Sequence, residues 1–189
     1  MGLQGVYWSL REHTRELILW FLCALPKGPG AWVRSHTLGY FLAGFGADTV
    51  IQGHFRITNP EKVVIGAHCN FGEGVFITGG GGVYIGNYVG IGPDSKIWSV
   101  HHCFADPDTP WLLQGYDNKA VTIEDDVWLG ANCFVKPGLT IGKGAIVSAG
   151  TVVAKSVPAY ALVAGNPGKV VGWRKPPTPP ATSAPTAKE

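Results

Sequence analysis

The sequence predicts a parallel β-helix, a solenoid of short strands, over most of its 189 residues. The first observation is a six-residue spacing of apolar side chains, in short groups at first and then unbroken through Ile123, Leu129, Val135, Ile141, Val147 and Val153. The second is a glycine directly after many of these side chains: Gly66, Gly72, Gly86, Gly92, Gly130 and Gly142. The third is a total of 27 glycines, about twice the usual share. Together they indicate many tight corners.

The short period also predicts how the chain packs. A six-residue repeat cannot bury its own apolar face, so it must stack on its neighbours. If three repeats close one triangular turn, Ile123 stacks on Ile141 and Leu129 stacks on Val147, about 4.8 Å apart. An ordinary β-sandwich with irregular strands does not explain the fixed period.

The segment 1–46 is predicted to be helical. A spacing near 3.6 residues indicates an amphipathic helix that Pro26 ends, and it is formed by Leu10, Leu17, Ile18, Phe21, Leu22 and Leu25. A second helix is expected over 31–45. The apolar run 17–25 is too short to span a bilayer and no clean cleavage site follows, which disfavours a signal peptide and favours a cytoplasmic protein. The first helix is expected to pack on the body or to contact a membrane surface peripherally.

Three breaks interrupt the six-residue period. Two are short insertions, at Asn59-Pro60 and at the glycine run 79–82, and the third is a long loop over 100–120. A break in a regular coil is where a loop leaves the surface, so we expect function there.

The coil is expected to stop soon after Val153, at Pro158 and the turn 165–167. Because an open last turn would leave strand edges unpaired, a short helical cap is predicted. The tail is rich in proline and is expected to be disordered. The predicted domains are therefore a helical segment 1–46, a β-helix 47–173 and a disordered tail 174–189.

The composition argues against several kinds of partner and site. A net charge of +2 without a basic stripe argues against a nucleic-acid partner. The cysteines match no zinc or disulfide-framework spacing, which favours reduced thiols: Cys23, Cys69, Cys103 and Cys133.

The repeat block VTIEDDVWLGANCFVKPGLTIGKGAIVSAGTVVAKSVPAYALVAGNPGKVV resembles the C-terminal signature of the hexapeptide-repeat acyltransferases, and VHHCFADPD resembles their active-site loop. The resemblance covers about 50–173. It implies a left-handed β-helix, a homotrimer with active sites between subunits, acetyl-CoA as acyl donor and no metal. Similarity to polysaccharide and nodulation-factor O-acetyltransferases, partly through ITNPEKVVIG, implies a saccharide acceptor.

Acyl transfer to a hydroxyl needs a base, and imidazole, with an intrinsic pKa of about 6.5, suits neutral pH. The loop holds His101 and His102, and the resemblance places the catalytic histidine at His102. His101 is the alternative, and a third interpretation is that both simply cover the coil. Asp106 and Asp108 are near enough to orient the ring, but the run ADPDTP is typical of a turn with Asx hydrogen bonds. A backbone carbonyl is the other option.

The resemblance also implies a coenzyme A site. It places small residues along the pantetheine arm (Ala131 and Ala149), Ala154 at a further cofactor-contacting position, Trp128 near the thioester, and Lys155 and Lys169 near the phosphates. The alternative for Trp128 is a plain surface aromatic, and for the lysines solvated surface charges. The chain departs from relatives that have Ser, Thr and Arg where it has Ala131, Ala154 and Gly172, although Arg174 is a nearby substitute. The acceptor-contacting asparagine of those relatives aligns near Gly72.

Two other functions are compatible with a β-helix. A non-catalytic β-helix scaffold has no reason to carry the histidine loop. A zinc hydratase of the γ-carbonic anhydrase type needs three histidine ligands with an H-x4-H pair, and the sequence lacks that pair.

Overall fold

The computed structural model describes residues 3–26 and 28–176, with side chains from residue 14 onward. Three parallel sheets wind around one core, and each turn adds one strand to face A, then face B, then face C. Face A consists of β1 (Gly44–Phe45), β4 (Val63–Ile65), β7 (Val83–Ile85), β12 (Val121–Ile123) and β15 (Thr140–Ile141). Face B consists of β2 (Val50–Ile51), β5 (Asn70–Phe71), β8 (Gly90–Ile91), β13 (Trp128–Leu129), β16 (Ile146–Val147), β18 (Ala161–Ala164) and the antiparallel β19 (Lys169–Trp173). Face C consists of β3 (Arg56–Thr58), β6 (Phe76–Thr78), β9 (Lys96–Trp98), β14 (Phe134–Val135) and β17 (Val152–Val153).

The predicted stacking of aliphatic columns is confirmed. Ile123 pairs with Ile141, Leu129 with Val147, and Val135 with Val153. All six side chains are buried, one column inside each face. The predicted parallel β-helix is therefore the observed architecture.

Glycine is required where successive turns touch. A Cβ atom on Gly130 would lie 2.5 Å from the backbone nitrogen of Ala149 in the next turn. No real side chain fits in that space, which explains why glycine follows the buried aliphatic Leu129.

Two helices precede the coil, α1 (Leu3–Ala24) and α2 (Pro29–Thr37), followed by a 3-10 turn, Leu38–Tyr40. The first predicted helix is confirmed. The second was predicted to reach residue 45 and is too long, because the chain leaves the α-helix after Thr37 and Phe45 pairs with Ile65 as the first strand of face A.

Buried Arg34 joins both helices to the coil. Its guanidinium Nε donates to the Ile51 carbonyl at 2.9 Å, and Nη1 donates to the carbonyls of Leu25 and Leu22 at 2.6 and 3.1 Å. Leu22 lies in the last turn of α1, whose carbonyls lack helical partners. Burial lowers the pKa of Arg34, yet the cation is held because it satisfies carbonyls of three segments.

The end of the coil is closed by a hairpin, and the predicted helical cap is wrong. The coil continues past Val153, because β18 pairs in parallel with β16 on face B. The chain then reverses at Gly165, where φ is +101°, and β19 returns antiparallel to β18. The returning strand pairs with the last parallel strand and so covers the open strand edge that a helix was predicted to cover. Of the predicted disordered tail, residues 177–189 lie outside the described residues.

Among the described residues, no helix has the length and apolar content needed to cross a membrane.

Candidate active site

All three breaks in the repeat fall at the same corner of the coil. We call the bend between face C and face A the C–A corner. The insertion at Asn59 forms a 3-10 turn, Pro60–Lys62, between β3 and β4, and the glycine run 79–82 lies between β6 and β7. The long loop leaves β9 and returns at β12 in the next turn. The insertions therefore stack in three successive turns.

Together these insertions enclose a cleft of about 450 Å³, which we call the His102 cleft. Each break contributes to its wall, and the lining comprises Thr58, Asn59, Lys62, Thr78, Gly80, Trp98, Val100, His102, Tyr116 and Asn118. Lys62 Nζ donates to the Gly80 carbonyl at 3.1 Å, which links the first break to the second.

The long loop is an ordered excursion. Its ends form an antiparallel pair, β10 (Val100–His102) and β11 (Tyr116–Asn118), in which His102 is opposite Tyr116. At its base the buried Ser99 hydroxyl donates to the Thr78 carbonyl and accepts a hydrogen bond from the Gly81 N–H at 3.0 Å. The excursion is thereby fixed to the glycine run.

His102 is half-buried between two aromatic rings. Its ring centroid lies 4.4 Å from that of Tyr116 and 4.9 Å from that of Trp111. Within the part of the chain that the structure describes, neither ring nitrogen of His102 has a hydrogen-bond partner. His101 is exposed and contacts Phe104, at 5.4 Å between ring centroids. Of the two histidines, His102 lines the cleft.

The aspartates of the loop build its turn. The Asp106 carboxylate accepts hydrogen bonds from the Thr109 hydroxyl at 2.7 Å and from the Asp108 N–H at 2.9 Å. These bonds hold the pKa of Asp106 below its usual value, the Thr109 bond contributing most. This is the Asx-type turn expected from the sequence.

The residues predicted for coenzyme A lie at three places on the coil. Trp128 lies on face B, and Ala131 and Ala149 follow strands of face B at the bend into face C, which we call the B–C corner. Ala154 and Lys155 follow β17 at the C–A corner. Lys169 begins β19 at the end of face B. Face C therefore separates the small residues at the B–C corner from His102.

Comparison with known proteins supports the likeness seen in the sequence. A family model described as the hexapeptide repeat of succinyl-transferase matches residues 120–155. A galactoside O-acetyltransferase of Lactococcus lactis is 34% identical over 83% of both chains. The chain belongs to the hexapeptide-repeat acyltransferases.

Two further relatives of this acyltransferase agree with that assignment. A putative colanic acid biosynthesis acetyltransferase of Escherichia coli K12 is 32% identical over 75% of both chains. The crystal structure of a hexapeptide-repeat acetyltransferase of Vibrio cholerae, complexed with acetyl coenzyme A, has a TM-score of 0.77 at 26% identity and covers 93% of each chain. Family membership favours an enzyme over the non-catalytic scaffold.

The zinc-hydratase alternative requires several ligands around one ion. Among the described side chains, those of residues 14–26 and 28–176, no group of three or more His, Cys, Asp or Glu is placed to hold a metal ion.

Sequence reasoning missed most of the cleft wall, including Thr58, Trp98 and Tyr116. The sequence did contain a signal for this arrangement. An isoleucine stands one residue before the end of the strand that precedes each break, and these isoleucines are evenly spaced: Ile57, Ile77 and Ile97. That spacing is one turn of three repeats plus the two inserted residues. It would have placed all the breaks of the acyltransferase at one corner.

Proposed function

We propose that this acyltransferase transfers an acetyl group from acetyl-CoA to a hydroxyl of a saccharide, with His102 as general base. The observation that carries the proposal is the convergence of all three repeat breaks on one cleft that His102 lines. The relatives whose names mention galactoside and colanic acid support a saccharide acceptor, and the Vibrio cholerae complex supports acetyl-CoA as donor.

In the proposed reaction, imidazole takes the proton of the acceptor hydroxyl while its oxygen attacks the acyl carbon. The C–O bond forms, the C–S bond breaks, and the proton passes from imidazole to the departing sulfur. His102 is suited to this role because Tyr116 and Trp111 fix its ring while its nitrogens stay available to substrate.

The residues of the B–C corner fit an extended thioester arm. Ala131 is half-buried, Ala149 is exposed, and the two stack because the Gly150 N–H donates to the Ala131 carbonyl at 2.8 Å. Trp128 is 57% exposed on the adjoining face, packed over Gly90. Small side chains leave backbone groups accessible for a pantetheine chain, and an indole offers an apolar surface near its end.

His102→Ala tests the base directly. We expect acetyl transfer to maltose or galactosides to fall by about 10²–10⁴-fold, the usual contribution of a general base. Thiol release from acetyl-CoA measures the rate, and calorimetric titration with coenzyme A should give the wild-type affinity. His101→Ala is the matched control and should retain activity. Unchanged turnover of His102→Ala would refute the assignment.

We further propose a homotrimer in which the groove forms between subunits. The separation of His102 from Trp128 and Ala131 within one subunit supports this, because a neighbouring copy would bring the B–C corner to the C–A corner. We expect the His102→Ala and Trp128→Ala homotrimers each to lose most of their activity. Mixing the two kinds of subunit by unfolding and refolding should restore about a quarter of the sites. A single peak at the monomer mass in light scattering, or no restored activity, would contradict the shared site.

The expected peripheral membrane contact is also a proposal. Leu17, Ile18 and Phe21 on α1 are exposed, so that side of the helix is apolar and available to a lipid surface. Sedimentation with anionic vesicles should decrease in Leu17→Ser/Phe21→Ser. Equal sedimentation of both proteins would overturn the contact.

A further inference from the structure

A second cleft lies between α1 and the first strand of face C. Its volume is about 760 Å³, larger than that of the His102 cleft. The helix contributes Glu16 and Trp20, and the coil contributes Arg56 and Glu61. We call this cleft the α1 groove.

The α1 groove and the His102 cleft are adjacent. Thr58 and Asn59 line both of them, and both residues are exposed. Asn59 adopts the left-handed conformation, with φ of 51°, at the first break of the repeat. A ligand with its reacting end at His102 could therefore extend over Thr58 and Asn59 towards α1.

The side chains of the α1 groove suit a sugar chain. The Trp20 ring is 70% exposed and offers a flat apolar surface, as the C–H face of a pyranose requires. Thr58, Asn59 and the charged groups offer donors and acceptors for hydroxyls.

The charges of the α1 groove cancel. Arg15 and Arg56 are matched by Glu16 and Glu61 in its lining. Arg15 donates to the Phe41 carbonyl at 2.8 Å, and the Arg56 guanidinium lies 4.6 Å from the centre of the Phe76 ring. A groove without net charge favours a neutral polyhydroxyl ligand over a phosphate.

We propose that the α1 groove binds the sugar units of an oligosaccharide acceptor that lie beyond the unit being acetylated. This inference rests on the proposed function, because it takes the His102 cleft as the place of the reacting sugar. It adds that the enzyme selects acceptors by length, with Trp20 as the stacking residue of the distal subsite.

The test compares acceptors of increasing length. We would measure kcat/KM for acetyl transfer to the maltose series and to the chitin-oligosaccharide series, from monosaccharide to tetrasaccharide. For the productive series we expect the tetrasaccharide to exceed the monosaccharide by about tenfold or more, as one stacking contact with hydrogen bonds would give. Trp20→Ala and Glu61→Ala should bring this ratio close to one.

Trp32→Ala is the matched control. Trp32 is a similarly exposed indole, at 66%, but it lies on α2 against His36 and outside the α1 groove. Its replacement should leave the length ratio unchanged. A ratio that falls equally in Trp20→Ala and Trp32→Ala would overturn the assignment of Trp20.

A binding measurement separates this inference from the proposed function. Titration calorimetry of the His102→Ala variant with each tetrasaccharide should detect binding of at least one, and the added substitution Trp20→Ala should weaken it by about tenfold. Absence of binding to both tetrasaccharides would overturn the α1-groove proposal whatever the transfer assay gives. Acetyl transfer that is independent of acceptor length would overturn it while leaving the acetyltransferase proposal intact. Binding without transfer in the wild type would contradict the acetyltransferase proposal alone.

Discussion

Ser99 fixes the base of the excursion, and Ser99→Ala tests whether that anchor sets the activity. The substitution removes the hydrogen bond to the Thr78 carbonyl and the bond from the Gly81 N–H in a buried position. Two such bonds correspond to about 1–3 kcal/mol of net stability. At roughly 2–4 °C per kcal/mol for a chain of this size, the melting temperature should fall by about 2–12 °C.

Ser95 provides a matched control on the same turn. Its buried hydroxyl donates to the Gly130 carbonyl at 2.9 Å and accepts a bond from the Cys133 N–H at 3.1 Å. Ser95 precedes β9 at the B–C corner, whereas Ser99 follows β9 and leads into the loop of His102. Ser95→Ala should therefore lose similar stability without displacing His102. Because Ser95 bonds residues on either side of Ala131, activity is compared at saturating acetyl-CoA, where Ser95→Ala should keep its kcat/KM for the acceptor.

Ser99→Ala should in addition lower kcat/KM by about ten- to a hundredfold, because a shift of about 1 Å in a catalytic group has effects of this size. Thermal unfolding followed by circular dichroism and thiol release at 25 °C measure the two quantities. Equal kcat/KM values for the folded Ser95→Ala and Ser99→Ala proteins would refute the reasoning.

Three further predictions concern stability and thiol chemistry. Arg34→Met leaves buried carbonyls without donors and should lower the free energy of unfolding in urea by about 2–5 kcal/mol; an unchanged midpoint would contradict this. Gly130→Ala should lower the melting temperature more than Gly150→Ala. A Cβ at Gly130 would clash with backbone of the next turn, whereas Gly150 has open space around it and only its φ of +73° disfavours alanine. Equal shifts in melting temperature would argue against the role of corner packing. Burial raises the pKa of the Cys23 thiol to about 11, so stability should decline as pH rises from about 9 to 11, and less so in Cys23→Ala. Urea titrations at several pH values measure the free energy of unfolding of both proteins. The same dependence of this free energy on pH in both would contradict the prediction.

The strands of the coil were predictable because a fixed period determines which side chains stack. The stacking of Ile123 on Ile141 followed from their spacing alone. The second helix was predicted too long because Leu38, Phe41 and Phe45 keep helical spacing while packing against the coil core. The terminal hairpin was missed because the period predicts only parallel neighbours, and the reversal at Gly165 depends on backbone conformation.

The candidate site was predictable only in part. The break in the repeat and the reaction type pointed to a histidine in the loop, and the family resemblance chose His102 over His101. Its setting between Tyr116 and Trp111 depends on how the loop folds back, because thirteen residues separate His102 from its strand partner Tyr116. The α1 groove brings together Trp20 and Glu61, which no local pattern connects.

Because every insertion lies at the C–A corner, the length of the loops can vary independently of the packing of the core. The strands on either side of each break keep their register, since Ile57 pairs with Ile77 and Ile77 with Ile97 whatever lies between the faces. Loop length at this corner is therefore free to change without repacking the columns of buried aliphatics. Exchange of these three segments between homologues is consequently an evolutionary and an engineering route to new acceptor preferences on an unchanged frame.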